Sequence, residues 1–127
     1  MRNFRQLEVW VQSIELVVKV YEITKSLPDK EKFGLVSQMN RCAISIPANI
    51  AEGSSRKTSV DFARFLEISL GSSFEIETYF EIIYRLNFIT ELKYKAIMAE
   101  LSITQKRINS LREAVLKPKD QPLKTKD

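Results

Sequence analysis

The 127-residue sequence has no histidine, one cysteine, three glycines and four prolines. Without histidine, the chain lacks the side chain most used near neutral pH for proton transfer, for activating a nucleophile and for binding zinc or haem. The single cysteine, Cys42, excludes an internal disulfide. These absences argue against an enzyme, and we expect no catalytic residue, no cofactor and no metal site.

Glycine and proline are too scarce for the many tight turns of a β-sandwich or barrel. The sequence has no leader-like segment and no apolar run long enough to cross a bilayer, which predicts a cytoplasmic protein without a membrane partner. Hydrophobic residues make up 44% of the chain, enough for one core in a domain of this length. The net charge of +4 is a smaller excess than nucleic-acid-binding domains usually carry.

Apolar residues recur at steps of three and four, the spacing of one helix face, in four long segments. The sequence therefore predicts an all-α fold, an antiparallel up-and-down four-helix bundle over residues 1–116. The predicted helices cover residues 5–26, 31–54, 58–87 and 90–116, and residues 117–127 are predicted to form a disordered basic tail. Pro47 falls inside the second helix and predicts a kink about one turn before it.

Polar and small residues refine the helix boundaries. Thr58 and Thr90 are the predicted N-caps of helices three and four, and Asn87 is expected to end helix three in a left-handed conformation. Gly53 and the serines after it are interpreted as the end of helix two. The middle of helix three is rich in small residues, which predicts that a neighbouring backbone approaches closely there. These are Ser69, Gly71, Ser72 and Ser73.

Helix one carries two apolar stripes on opposite sides. We assign the first to the bundle core; it comprises Leu7, Trp10, Val11, Ile14, Val17, Val18 and Tyr21. The second comprises Val9, Leu16, Val20 and Ile23. A monomeric bundle needs only one such stripe, so the second is a candidate oligomer interface, and deeper burial of the helix within its own chain is the alternative. Helix three has a weaker second stripe of Ile68, Tyr79, Ile82 and Leu86.

Helix two carries a polar stripe whose members are three or four residues apart. They are Gln38, Arg41, Ser45, Asn49, Glu52 and Arg56. The stripe is typical either of an ordinary solvated face or of a groove or lumen, in which Ser45 or Asn49 would bond carbonyls freed by Pro47. Cys42 has no histidine to activate it, so we interpret it as a small buried or interfacial thiol.

Four segments carry a family resemblance in the same order along the chain. They are residues 4–10 (FRQLEVW), 33–38 (FGLVSQ), 45–53 (SIPANIAEG) and 65–72 (FLEISLGS). These segments resemble the bacterial four-helix-bundle proteins associated with intervening sequences in 23S ribosomal RNA genes. Helix four has the length and the hydrophobic periodicity expected for that family but carries few of its characteristic sequence motifs.

The resemblance implies a protomer that assembles into a ring-like homopentamer without enzymatic activity. It also implies a basic surface that engages RNA or DNA, as in the similar accessory variability protein of diversity-generating retroelements. The candidate contacts are Arg41, Arg56, Lys57 and Arg64. Many relatives have two adjacent arginines before the alanine of helix two, and here Asn40 replaces the first. A protein-protein scaffold or adaptor that binds no nucleic acid is the alternative function.

Overall fold

The computed structural model describes residues 3–118, and its regular structure over that span is helical. The four long helices are α1 (Glu8–Thr24), α2 (Ser37–Ser54), α3 (Ser59–Arg85) and α4 (Glu91–Val115). Each of α1 and α3 packs against both α2 and α4, which is the arrangement of a four-helix bundle. The all-α prediction is confirmed. Within residues 3–118 no helix is both long and apolar enough to cross a membrane.

The main difference in helix boundaries lies before α2, which the sequence predicted to begin at residue 31. A 3-10 turn, Asp29–Glu31, and a π-helical turn, Lys32–Val36, precede α2 there. Another 3-10 turn, Phe4–Gln6, precedes α1. α2 continues through Pro47 as one element, and the angle of the predicted kink stays a prediction. Most of the predicted disordered tail, residues 119–127, lies outside the described residues.

Side-chain caps fix the points where α3 and α4 begin. The Thr58 hydroxyl accepts a hydrogen bond from the Asp61 backbone N–H at 3.1 Å, and the Thr90 hydroxyl accepts one from the Lys93 N–H at 3.2 Å. Each bond satisfies a donor that has no partner within its own helix. Asn87 has a φ of 61°, in the left-handed region. The two predicted caps and the conformation of Asn87 are therefore confirmed.

Gly53 marks the closest approach of α2 to α3. A Cβ at this position would lie 2.6 Å from the Phe65 Cβ and 3.0 Å from the Phe62 Cδ1. α2 does end at Ser54, but Gly53 serves the packing of two helices, which the sequence interpretation missed. The close approach predicted around Gly71 is wrong for that residue, because a Cβ there would meet no atom within 4 Å.

The buried serines of α3 are explained by their hydrogen bonds, one to α2 and one within α3 itself. Ser69 Oγ donates to the Ile46 carbonyl oxygen at 2.9 Å, and Ser73 Oγ donates to the Leu70 carbonyl oxygen at 2.6 Å. Both serines are fully buried. A buried hydroxyl is tolerated when it has such a partner, so the polar middle of α3 fits inside an apolar core.

The two stripes of α1 are partly exchanged relative to the sequence prediction, although Leu7, Trp10 and Val17 of the first stripe do pack half-buried against the core. Val9, Leu16 and Val20 are buried by their own chain, with 4%, 0% and 0% of their surface exposed, and Ile23 packs half-buried against the same core. The assignment of Val9, Leu16 and Val20 to an oligomer interface is therefore wrong, and that of Ile23 stays a prediction. Four residues of the other stripe are exposed, namely Val11 (43%), Ile14 (38%), Val18 (53%) and Tyr21 (41%).

Periodicity could not tell the two stripes apart because both obey it. The buried side of α1 also includes Ser13 and Thr24, which look polar in the sequence. Their hydroxyls donate to the carbonyl oxygens of Trp10 and Tyr21, at 2.8 and 3.2 Å. A side-chain hydroxyl that bonds the backbone of its own helix can be buried at low cost. The centre of the inward side of α1 thus includes two polar residues.

Candidate functional site

An exposed apolar surface runs along α1. We call the residues Val11, Ile14, Val18 and Tyr21 the α1 face. Their spacing of three, four and three residues is that of the residues that insert between side chains of a facing helix in coiled coils. The hydrogen bond between Thr24 Oγ1 and Asn40 Oδ1, 2.9 Å long, sets the register of α1 against α2. This register brings the exposed Ile44 of α2 level with Tyr21 and widens the apolar surface.

Carboxylates border the α1 face on its outer side. Glu15 and Glu22 are both exposed and follow the face at a seven-residue interval. Lys19 lies between them along the chain, but its ammonium group reaches Glu100 of α4 at 2.7 Å. That ion pair raises the pKa of Lys19 above its usual range. The outer rim of the α1 face is therefore acidic, whereas the exposed Lys25 lies one turn after Tyr21 at the C-terminal end of the face.

The polar stripe of α2 divides into a half-buried middle and exposed ends. Ser45 Oγ lies 2.8 Å from Ser72 Oγ of α3, and Asn49 Nδ2 donates to both the carbonyl oxygen and the hydroxyl of Ser45 at 2.8 and 2.9 Å. The bonded carbonyl is that of Ser45, whereas Pro47 frees that of Ala43. The middle of the stripe thus joins α2 to α3. The exposed members are Gln38, Arg41, Glu52 and Arg56.

The candidate nucleic-acid contacts fall into two groups, although all four side chains are exposed. Arg56 and Lys57 lie in the turn after α2, and Arg64 lies in the second turn of α3. These three residues, which we call the basic cluster, surround the N-terminus of α3, where backbone N–H groups and the helix dipole favour an anion. Arg41 lies about 20 Å away along α2, at a rise of 1.5 Å per residue.

Two members of the basic cluster are paired with carboxylates of the same chain. Arg56 Nη2 lies 2.8 Å from Glu52 Oε2, and Arg64 pairs with Asp61. The Arg56 guanidinium carbon also lies 4.7 Å from the centre of the Phe65 ring. Exposed ion pairs of this kind contribute little to stability, so a phosphate can compete for these arginines.

The sequence matches the family described as 23S rRNA-intervening sequence protein over residues 5–110. The chain belongs to this family. A crystal structure of a protein of unknown function from the S23 ribosomal protein family of Bacteroides thetaiotaomicron is similar to it, with 29% sequence identity and a TM-score of 0.77. The similarity covers 83% of this chain and 95% of that chain. No curated protein matches the sequence.

Two carboxylates of α3 in this family member connect α3 to α4. Glu77 accepts a hydrogen bond from Gln105 Nε2 at 2.8 Å, and Glu81 accepts from the Tyr94 hydroxyl and from Arg85 Nε. These donors lower the pKa of Glu81, and the Glu81 carboxylate raises the pKa of Tyr94. Among residues 3–118 no group of three or more Cys, Asp or Glu side chains is arranged to hold a metal ion.

Cys42 is a buried thiol in the contact between α2 and α3. Its sulfur lies 3.4 Å from the Ser72 carbonyl oxygen, to which the S–H donates. Burial, with a smaller contribution from the nearby Glu75, raises the pKa of Cys42 to about 12. The thiol form, which is a poor nucleophile, is thus the stable one near neutral pH. The interpretation of Cys42 as a small buried thiol is confirmed.

We expect native Cys42 to react with an aromatic disulfide reagent at pH 8 roughly a hundredfold more slowly than the urea-unfolded chain, because reaction needs an exposed thiolate. The folded pKa of about 12 lies above the ordinary 9.0. The protonated thiol therefore favours the folded state below pH 9.0, and this contribution is lost as the pH rises towards 12. Equal native and unfolded rates at pH 8 would contradict the burial.

Proposed function

We propose that this protein is a non-catalytic, self-associating module of the cytoplasm that accompanies nucleic acid, with its copies arranged as a ring-like homopentamer. The observation that carries the proposal is the exposed α1 face, because a continuous apolar surface on a small domain is unfavourable in water and is typical of an interaction site. The ring and its five copies come from the family resemblance. The family description, which refers to intervening sequences of 23S rRNA, supports nucleic acid as the partner.

The basic cluster is the proposed nucleic-acid contact of each copy. One cluster of three cations, two of them already paired, binds phosphate weakly by itself. Five copies on one side of a ring would present the cluster to a single nucleic acid five times. Linked weak contacts of this kind combine into a strong interaction, and each phosphate contact releases condensed counterions.

Titration of the protein with a structured RNA and a DNA duplex tests this proposal. Binding should weaken steeply as salt rises from about 50 to 200 mM, because the contacts are to phosphate. Lys57→Gln should weaken binding at least about tenfold and reduce the salt dependence, since the loss is repeated in every copy.

Lys30→Gln is the matched control, because Lys30 is exposed in the turn between α1 and α2, at the opposite end of the bundle. We expect this variant to bind like the unmutated protein. Absence of binding to both nucleic acids at low salt, or an equal loss in both variants, would contradict the proposed contact.

A protein-protein scaffold or adaptor is the second candidate function. The pairing of Arg56 with Glu52 and of Arg64 with Asp61 favours it, because these pairs leave the basic cluster with little net charge. A protein that assembles through the α1 face and binds neither RNA nor DNA would support the scaffold. The titration above therefore separates the two functions.

A further inference from the structure

Gly71 lies in the middle of α3 and is exposed. Glycine is unfavourable inside a helix, and the packing of this chain does not require it, because a Cβ at Gly71 would meet no atom within 4 Å. Ile68 and Phe74 lie one turn before and after it and are 48% and 51% exposed. We call these three residues the Gly71 notch, because Gly71 has no side chain and the apolar side chains of Ile68 and Phe74 lie on either side of it.

The Gly71 notch lies at the same height in the bundle as the α1 face. The Ser45–Ser72 hydrogen bond sets α3 against α2, and the Thr24–Asn40 hydrogen bond sets α2 against α1. Because both helix pairs are antiparallel, these two bonds place Gly71 of α3 and Val18 of α1 at the same height along the bundle axis. A rotation about an axis parallel to the bundle can therefore bring the α1 face of one copy to the notch of another without a shift along that axis.

The rims of the two surfaces carry opposite charges. Glu15 and Glu22 border the α1 face, whereas Arg41 on α2 is an exposed cation beside the notch. Arg64, on the same side of α3, is already paired with Asp61. The same register brings Arg41 level with Glu22. Opposite charges at matched heights favour contact between these two surfaces over contact of either surface with itself.

Two carboxylates also lie beside the notch, and one of them is paired with a cation of the same chain. Glu67 pairs with Arg112 at 3.1 Å, and Glu75 lies close enough to the Cys42 thiol to raise its pKa. The charge of Glu67 is therefore balanced, whereas that of Glu75 is not, and the attraction between the two rims is assigned to Arg41 and Glu22.

We propose that the α1 face of one copy docks into the Gly71 notch of the next copy, an inference that rests on the self-association proposed above. Val18 and its neighbours pack between Ile68 and Phe74, and the absent side chain of Gly71 lets the two helices approach closely. Each copy uses its α1 face towards one neighbour and its notch towards the other. Such a contact is heterologous, the type that closes into rings.

Gly71→Gln and Val18→Glu test the contact from its two sides. We expect light scattering to show that each variant alone is a monomer, with the 14.7 kDa mass of one chain. Helicity should be unchanged, because both positions are exposed and glutamine favours a helix more than glycine does. An equimolar mixture should form a pair of chains and nothing larger, since Val18→Glu keeps its notch and Gly71→Gln keeps its α1 face.

Ala99→Gln is the control, because Ala99 is exposed on α4, away from both surfaces, and this variant should assemble like the unmutated protein. If Gly71→Gln also assembles like the unmutated protein, the contact proposed here is overturned and self-association stands. An unmutated protein that is monomeric overturns both proposals.

A charge exchange tests the rims. Glu22→Arg and Arg41→Glu should each raise the dissociation constant of the assembly about tenfold, and the double variant should restore it. A double variant that assembles no better than the single variants would overturn the pairing of these rims.

Discussion

Leu16→Glu should abolish the fold, whereas Val18→Glu, two residues further along the same helix, should leave it intact. Leu16 is fully buried and belongs to the core. Its replacement removes apolar packing at a cost of about 2–5 kcal/mol and adds the cost of burying a carboxyl group without a partner. The sum is comparable to the whole stability of a small domain, about 5–15 kcal/mol. Val18 is 53% exposed, so a glutamate there remains solvated.

Circular dichroism and thermal unfolding at pH 7 measure the difference. We expect no cooperative transition for Leu16→Glu and full helicity for Val18→Glu. A buried glutamate has a pKa above the unfolded value of about 4.3, so Leu16→Glu should regain stability as the pH falls from neutral towards 4.3. If both variants melt like the unmutated protein, the burial of Leu16 is wrong and the two faces of α1 must be reassigned.

Gly53→Ala should destabilise the protein by about 2–3 kcal/mol, although alanine favours a helix more than glycine does. The added Cβ would lie 2.6 Å from the Phe65 Cβ. That atom is attached directly to the backbone of α3 and cannot rotate away. Relief therefore requires α2 and α3 to separate, which loosens a contact that also contains the buried bond from Ser69 to the Ile46 carbonyl.

Gly34→Ala is the matched control for Gly53→Ala. A Cβ at Gly34 would have only Glu31 Oε1 near it, at the ordinary contact distance of 3.7 Å. Alanine there should leave stability unchanged or raise it by up to about 1 kcal/mol, since it restricts the unfolded chain. Urea unfolding distinguishes the two outcomes. A Gly53→Ala variant as stable as Gly34→Ala would show that α2 and α3 are not in close contact at this point.

The helices could be predicted from the sequence because their signals are local. Steps of three and four residues mark a helical face, and Thr58 and Thr90 act on N–H groups three residues away. Asn87 likewise acts through its own backbone. The π-helical turn before α2 gave no such signal, because the apolar pattern around Phe33 is compatible with a continued α-helix.

The direction in which α1 faces could not be predicted, because it depends on the other three helices. Both of its stripes have helical spacing, and the buried side includes Ser13 and Thr24, whose hydroxyl partners are known only once the helix has formed. α1 does have more apolar surface than its own bundle buries, as the sequence predicted. The surface available to a partner is the α1 face, and Val9, Leu16 and Val20 form the core.

The candidate site could be predicted in part, because some of its signals are local. Arg56, Lys57 and Arg64 are close in sequence and lie around one turn, so their proximity follows from the boundaries of α2 and α3. The packing role of Gly53 depends on residues of another helix. Gly71 and Val18 lie at the same height in the bundle only because of how α3 packs against α2 and how α2 packs against α1. Neither follows from local sequence.

The mass of the unmutated protein in solution, measured by light scattering over a range of micromolar concentrations, tests the central claim most directly. The exposed α1 face predicts a stable assembly, and the family resemblance predicts a mass five times that of the 14.7 kDa chain. A mass of one chain at every concentration would contradict the claim that this surface brings copies together.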